Sequence, residues 1–238
     1  VIDTHAGAGM YVLAGPVAQR SGEAEAGIVR LMASEGAPAG FDALTAAVRA
    51  ANAGGALKLY PGSPWLIAQA LRPSDRLVAR ELRLHEHRSL PKALKGRPPA
   101  EVVKSDGYAI AAQRLPKEGP AFALIDPPFE RADDYARCVE AVAALTARNP
   151  RAVTVVWLPL KDLETFDAFL RDLQDAAEVP LLVAETRLRP LTDPMKMNGC
   201  ALVIANPPPG LAEHLTESCG WIAEALGEGG EGRVWELR

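Results

Sequence analysis

The residues Asp126-Pro127-Pro128-Phe129 directly follow the apolar run Ala121-Phe122-Ala123-Leu124-Ile125. A short run of this composition reads as a strand covered on both faces. The four residues at its carboxyl end suit work on an aromatic amine. The lone pair of such a nitrogen is delocalised into its ring, and a carboxylate that accepts one N–H returns density to it. Asp126 supplies that acceptor. Pro127 offers a carbonyl on a backbone stiffened by two prolines, ready for the second N–H at little entropic cost. Phe129 gives an aromatic face for a base that has been unstacked or flipped out. Asn206-Pro207-Pro208-Pro209 also follows a strand, but it lacks the aromatic and sits after the last major strand, so it reads as structural.

Three further segments suit a nucleotide-like cofactor. Val1-Ile2-Asp3 runs into Thr4-His5-Ala6-Gly7-Ala8-Gly9, a glycine-rich turn at the end of a strand. Open α/β sheets bind ligands at such ends, and glycine lets backbone approach a ligand closely. Gly7 and Gly9 match the first two glycines of a dinucleotide fingerprint, but Val12 stands at the third. An acidic residue before a small-residue turn fits a methyltransferase better. The strand Arg76–Arg80 ends at Glu81, placed to bind ribose hydroxyls. It lies 72 residues after Gly9 instead of the ~20 of a simple unit. Glu101–Lys104 leads to Asp106-Gly107, where Asp106 can accept from an adenine amino group. An Asp-Gly pair also makes turns for purely geometric reasons.

These positions need a sheet to hold them. Strands are expected at Val1–Asp3, Arg76–Arg80, Glu101–Lys104, Ala121–Ile125, Ala152–Leu158, Leu181–Glu185 and Ala201–Ala205. Helices are expected between them, notably Asp133–Arg148, Asp162–Ala177 and Leu211–Leu226. That alternation implies βαβ units and an α/β fold with a mostly parallel, doubly wound sheet. Two helical segments, Glu23–Ala33 and Asp42–Ala51, explain the distance to Glu81 as a helical insertion over 21–59 within one domain spanning 1–238. The chain opens on the end of a buried strand, so an N-terminal segment is expected to precede it. With 48% hydrophobic residues the chain can build a large core. No run approaches the ~18 apolar residues of a membrane span, and no signal peptide is visible, which points to the cytoplasm.

Taken in order, DTHAGAG, Tyr60-Pro61-Gly62-Ser63-Pro64, Glu81, Asp106-Gly107, DPPF and the late NPP resemble the bacterial 23S ribosomal RNA adenine-N6 methyltransferases that carry a helical insertion. The match covers nearly the whole chain. The resemblance implies a Rossmann-like S-adenosylmethionine-dependent fold and a soluble enzyme acting on free or partly assembled 23S rRNA. It also implies that His5, Ser63, Glu81, Asp106, Gly107 and Asp126 contact the cofactor, alongside the turn of Gly7 and Gly9 read above, with Asp126 as catalytic residue beside Pro127 and Phe129. Family members carry Tyr more often than Phe after DPP, a change that keeps the stacking face. Their N-terminal segment, which holds His, Asn and Lys, contributes cofactor and RNA contacts.

The remaining polar residues carry weaker signals. Cys138, Cys200 and Cys219 form no CxxC pair and read as ordinary small residues. His85, His87 and His214 read as surface residues, so no metal site is expected. Trp65 and Trp157 read as core. Arg80, Arg83, Arg88, Lys92, Lys95 and Arg97 cluster and could face phosphate, although a solvated helix face is the commoner meaning. A net charge of −4 argues mildly against non-specific binding to a polyanion and leaves a local basic face open. Ser63 alone would be a turn or helix N-cap. A monomer is favoured, with no membrane partner. A DNA adenine-N6 methyltransferase, a nicotinamide-dependent oxidoreductase and a catalytically inactive RNA- or cofactor-binding scaffold remain open.

Overall fold

A computed structural model of the chain describes residues 1–13, 22, 24–190 and 198–237. Strand β1 (Ile2–Asp3) is followed by β2 (Met10–Val12). A π-helical turn over Glu25–Val29 runs into α1 (Arg30–Ala33), and a 3-10 turn over Ala39–Phe41 leads into α2 (Asp42–Ala51). Next come β3 (Leu59–Pro61), α3 (Ser63–Ala70), β4 (Leu77–Arg80), α4 (Leu84–Ala93) and β5 (Ala100–Val103). The alternation continues with α5 (Gly107–Arg114), β6 (Phe122–Ile125), α6 (Asp134–Arg148), β7 (Val153–Leu160) and α7 (Leu163–Ala176). It closes with β8 (Leu181–Arg187), β9 (Gly199–Ala205), α8 (Leu211–Ala225) and β10 (Glu231–Leu237). The chain forms two compact units, one of Val1–His5 with Asp106–Arg238 and one of Ala6–Ser105.

In the first unit the strand order is β10-β8-β9-β7-β6-β1. Strands β1, β6 and β7 are parallel, with Asp3 opposite Leu124 and Ile125 opposite Val156. Strand β9 is antiparallel to both β7 and β8, so β8 shares the direction of the parallel set, and β10 adds an antiparallel edge. Helix α6 buries Cys138, Ala141, Val142 and Leu145, and α7 buries Phe166, Phe169, Leu170 and Leu173, each set at helical spacing. Asp162 caps α7 by accepting from the Thr165 amide at 2.8 Å. The asparagine of the second proline motif is structural. Asn206 sits in the left-handed region at φ 55°, and its Nδ2 donates to the Pro150 and Ala152 carbonyls at 3.0 and 2.9 Å.

In the second unit β4 pairs in parallel with β5, with Arg80 opposite Val103. Strands β2 and β3 form an antiparallel ribbon with Tyr11 opposite Tyr60. Asn52 ties α2 to β3. Its Nδ2 donates to the Val48 and Leu59 carbonyls, and its Oδ1 accepts from the Lys58 and Leu59 amides, all at 2.8–2.9 Å. Of the stretch read as a helical insertion, Ser21 and Glu23 lie outside the described residues.

Replacing Asn206 with Ala leaves two carbonyls without their donor and a β-carbon in left-handed backbone. The variant is expected to lose about 2 kcal/mol of stability, read by urea unfolding. Any activity per folded molecule should be unchanged.

Candidate functional site

The first unit gathers its chemistry where β1 and β6 end. Beyond the Asp3–Leu124 pair the strands stay joined, because the Thr4 amide and hydroxyl both donate to the Leu124 carbonyl at 3.0 Å. His5 and Asp126 therefore stand at neighbouring carboxyl ends of adjacent parallel strands. The Thr4 hydroxyl has one proton and gives it to Leu124. It can only accept from His5 Nδ1, 2.7 Å away, so the neutral imidazole carries its proton there and leaves Nε2 as an acceptor. Burial pushes the His5 pKa down to about 4, against the pull of Asp106 and Asp134.

Helix α5 starts against the same strand end. A β-carbon on Gly107 would overlap the Thr4 carbonyl oxygen, so glycine is needed for this close approach. Asp106 caps the helix, its Oδ1 accepting from the Tyr108 amide at 3.1 Å. Its Oδ2 accepts from the Arg137 guanidinium at 2.7 Å. Partial burial works against the Asp106 charge, but the Arg137 and Tyr108 hydrogen bonds outweigh it and hold the carboxyl below its ordinary value. Tyr108 links these groups. Its ring lies 4.4 Å from the Arg137 guanidinium and 4.7 Å edge-on from His5, and its hydroxyl donates to Asp134 Oδ1 at 3.1 Å. Asp134 is only 2% exposed and accepts from the Arg131 amide at 3.0 Å. It thus anchors the loop that carries Asp126–Phe129.

Asp126 is open to solvent by surface area, yet enough protein surrounds it to push its carboxyl up to about 6 through lost hydration. Pro127 is buried. Phe129 takes φ 50°, a left-handed conformation that costs a bulky residue on the order of 1–2 kcal/mol. The bend brings its ring 4.8 Å from Tyr135 and 6.2 Å from Trp157. Trp65 is a core residue at 4% exposure, but Trp157 is not: it is half-buried at the edge of this aromatic group. Tyr108, Asp134, Tyr135 and Arg137 were missed in the sequence. The signal available was that Asp134, Arg137 and Cys138 share one face of a helix beginning just after DPPF.

In the second unit the glycine turn is held by Glu81. Its Oε2 accepts from the Gly7 amide at 2.9 Å and its Oε1 from the Arg83 amide at 2.6 Å, with the residue 8% exposed. The Ala6 amide donates to the Arg80 carbonyl at 2.8 Å. Gly7 and Gly9 have φ 60° and 76°, and a β-carbon on Gly9 would lie 2.9 Å from Ala93 Cβ and Leu90 Cδ1. The turn opens into strand β2, where a dinucleotide fold would place a helix N-terminus for pyrophosphate. Ser63 is the first residue of α3, whose N-cap is Gly62, so a capping role for the serine is corrected. The Gly62 amide donates to the Gly9 carbonyl at 3.0 Å, placing Ser63 next to the glycine turn.

Cys138 and Cys219 are buried, and burial pushes the Cys138 thiol up to about 12 and Cys200 up to about 11, which leaves no ready nucleophile. Among the described residues no three His, Cys, Asp or Glu side chains are grouped to hold a metal. No helix among them is long and apolar enough to cross a membrane.

His5 and Asp126 have opposite effects on stability as pH changes. Between about 4 and 6.5 the unfolded chain holds a His5 proton that the native state lacks, so stability rises with pH. From the ordinary value of 3.8 up to about 6 the native state keeps an Asp126 proton that the unfolded chain has lost, so stability falls with pH. The two slopes oppose each other across the shared window. Asp126→Asn should therefore stabilise the protein at pH 7 relative to pH 4, measured as the difference in urea midpoint from the parent. An equal difference at both pH values contradicts the shift.

The chain is similar to known proteins along its length. The family described as "Ribosomal RNA large subunit methyltransferase D, RlmJ" matches residues 1–237. The Escherichia coli (strain K12) protein named ribosomal RNA large subunit methyltransferase J is 30% identical over 234 residues, covering 98% of this chain and 84% of the relative. Its Haemophilus influenzae namesake is 28% identical over 233 residues, covering 97% of this chain and 83% of the relative. The crystal structure of protein LPL1258 from Legionella pneumophila superposes with a TM-score of 0.88 at 25% identity, covering 99% of this chain and 86% of that one. The match along 1–237 and the α/β sheet together show that the chain belongs to the RlmJ family of ribosomal RNA large subunit methyltransferases.

Proposed function

We propose that this chain transfers a methyl group from S-adenosylmethionine to the N6 amino group of an adenine in 23S ribosomal RNA. The observation that carries this reading is Asp126: a partly desolvated carboxylate at the end of β6, followed by two prolines and a strained aromatic. Hydrolysis or hydride transfer would not need that set. Methylation of a ring amine does, because nitrogen must be turned from a planar, conjugated group into a nucleophile. Forming the N–C bond would break the bond between the methyl group and the sulfonium sulfur of S-adenosylmethionine, and the amino group would give up one proton to the Asp126 carboxylate. The ionised Asp126 accepts one N–H and draws density onto nitrogen, and the Pro127 carbonyl accepts the other. Phe129 supplies the face against which the base rests, and its stiff, pre-bent backbone lowers the entropy lost on docking.

The residues present also suit the cofactor. S-adenosylmethionine, when bound, supplies an electrophilic methyl group on a sulfonium centre. A carboxylate has about four lone-pair sites, so Glu81 with two amides bound still has room for ribose hydroxyls. Asp106, ionised and oriented by Arg137, suits an adenine amino group. His5 Nε2, Gly7, Gly9, Ser63 and Gly107 complete the proposed set with Asp126. The strand after the glycine turn speaks against the nicotinamide reading. We read residues 21–59 as a helical insertion into one methyltransferase domain, and the setting as the cytoplasm, with free or partly assembled rRNA as substrate.

The test is methyl transfer to unmodified 23S rRNA, with nucleosides identified by mass spectrometry and a DNA of matching sequence alongside. N6-methyladenosine is expected from RNA alone. Asp126→Asn should lower the rate by at least about 100-fold while still binding S-adenosylhomocysteine. Methylation of the DNA instead, or of another nucleoside, rules out the reading.

A further inference from the structure

The net charge of −4 hides a strong separation. The unit Ala6–Ser105 holds 13 Lys and Arg against 8 Asp and Glu, a net +5, which leaves 13 against 22, or −9, for the first unit. The positive charge is densest just beyond Glu81. Between residues 83 and 97 lie Arg83, Arg88, Lys92, Lys95 and Arg97, with Glu86 the one acid. Helix α4 sorts this segment by face. Leu90 and Leu94, at 0% and 7% exposure, pack inward, while Leu84, Arg88 and Lys92 recur every fourth residue on the opposite face. Arg88, Lys92 and Lys95 are exposed, and among the described residues no ion pair joins them to a carboxylate. Arg97 is committed elsewhere, its guanidinium 4.0 Å above the Trp65 ring.

A merely solvated helix face would mix both charge signs and bury its leucines. Here Leu82 and Leu84 are 56% and 46% exposed at the head of the stripe, immediately after the strand end that holds Glu81. Apolar groups flanking a row of unpaired cations suit a partner that offers phosphates at regular spacing together with sugar and base faces.

We propose that the outer face of α4 and the residues flanking it, with Arg88, Lys92 and Lys95 and with Leu82 and Leu84 at its head, form an RNA-docking surface that grips the phosphate backbone of the rRNA substrate. This rests on the functional reading above, and adds a second point of attachment, remote in sequence from DPPF. Such contacts carry no base specificity. They strengthen binding and hold the register in which one adenine can reach its site.

The test compares the parent with the combined variant Arg88→Ala, Lys92→Ala, Lys95→Ala. Binding to a 23S rRNA fragment is followed by fluorescence anisotropy across salt concentrations. Each phosphate contact contributes roughly 0.7–0.9 to the slope of log affinity against log salt, so losing three should flatten it by roughly 2–3. Affinity near 0.1 M salt should fall at least about tenfold. S-adenosylhomocysteine binding by calorimetry should stay at the parental value, showing an intact fold. A second variant, Lys92→Arg with Lys95→Arg, should retain the parental slope. If the parent binds and methylates RNA and the triple variant keeps the same slope and affinity, the docking surface is wrong and the methyl-transfer reading stands. Should the parent itself fail to bind rRNA, both fall together.

Discussion

The parallel pairing of β1 with β6, continued by the two hydrogen bonds from Thr4 to the Leu124 carbonyl, is the constraint on which the first unit depends. Pairing in register brings His5 and Asp126 to the same end of the sheet, and a slip of β1 by one residue against β6 would turn the β1 side chains to the other face. The same Thr4 admits Gly107 with no room for a β-carbon, which fixes the start of α5 and with it Asp106 and Tyr108. From there Tyr108 reaches Asp134 and Asp134 reaches the Arg131 amide, so the loop after DPPF is tied back to the strand end where it began. Strain at Phe129 persists because this chain of contacts over-determines the loop.

Electrostatics divide the labour. His5 is neutral because burial removes its hydration more than nearby carboxylates can restore its charge. Asp106 is ionised because an arginine and a backbone amide hold it so. Among the described residues no such partner pulls Asp126 down, and lost hydration pushes its carboxyl up to about 6, which makes it a responsive acceptor. Neighbouring groups thus hold three different protonation tendencies through their surroundings alone.

Much of this was legible in the sequence, and the reasons are specific. The buried parallel strands announced themselves as apolar runs, and α6 and α7 as helical patterns between them. DPPF stood out because proline, aromatic and carboxylate followed a strand directly. The ribbon of β2 and β3 escaped because three-residue strands carry no periodicity. Edge strand β10 escaped because Glu231–Leu237 has no long apolar run, as suits a half-exposed antiparallel edge. Helical spacing places Asp134 and Arg137 on one face, but the roles of these two and of Tyr108 were harder to read. Their meaning lies in contacts across 26 to 31 positions of chain, which spacing cannot report. Overall charge left a local basic face open without locating it, since the opposite excesses of the two units partly cancel.

The central claim is that the ionised Asp126 carboxylate accepts the proton side of the reacting amino group. The pH dependence of single-turnover methyl transfer to 23S rRNA tests it most directly. A rate that climbs about tenfold per pH unit below about 6, levels off above it, and loses that rise together with most of its magnitude in Asp126→Asn is the result expected. A profile flat through pH 6, or a rise that survives in the Asn variant, would contradict it.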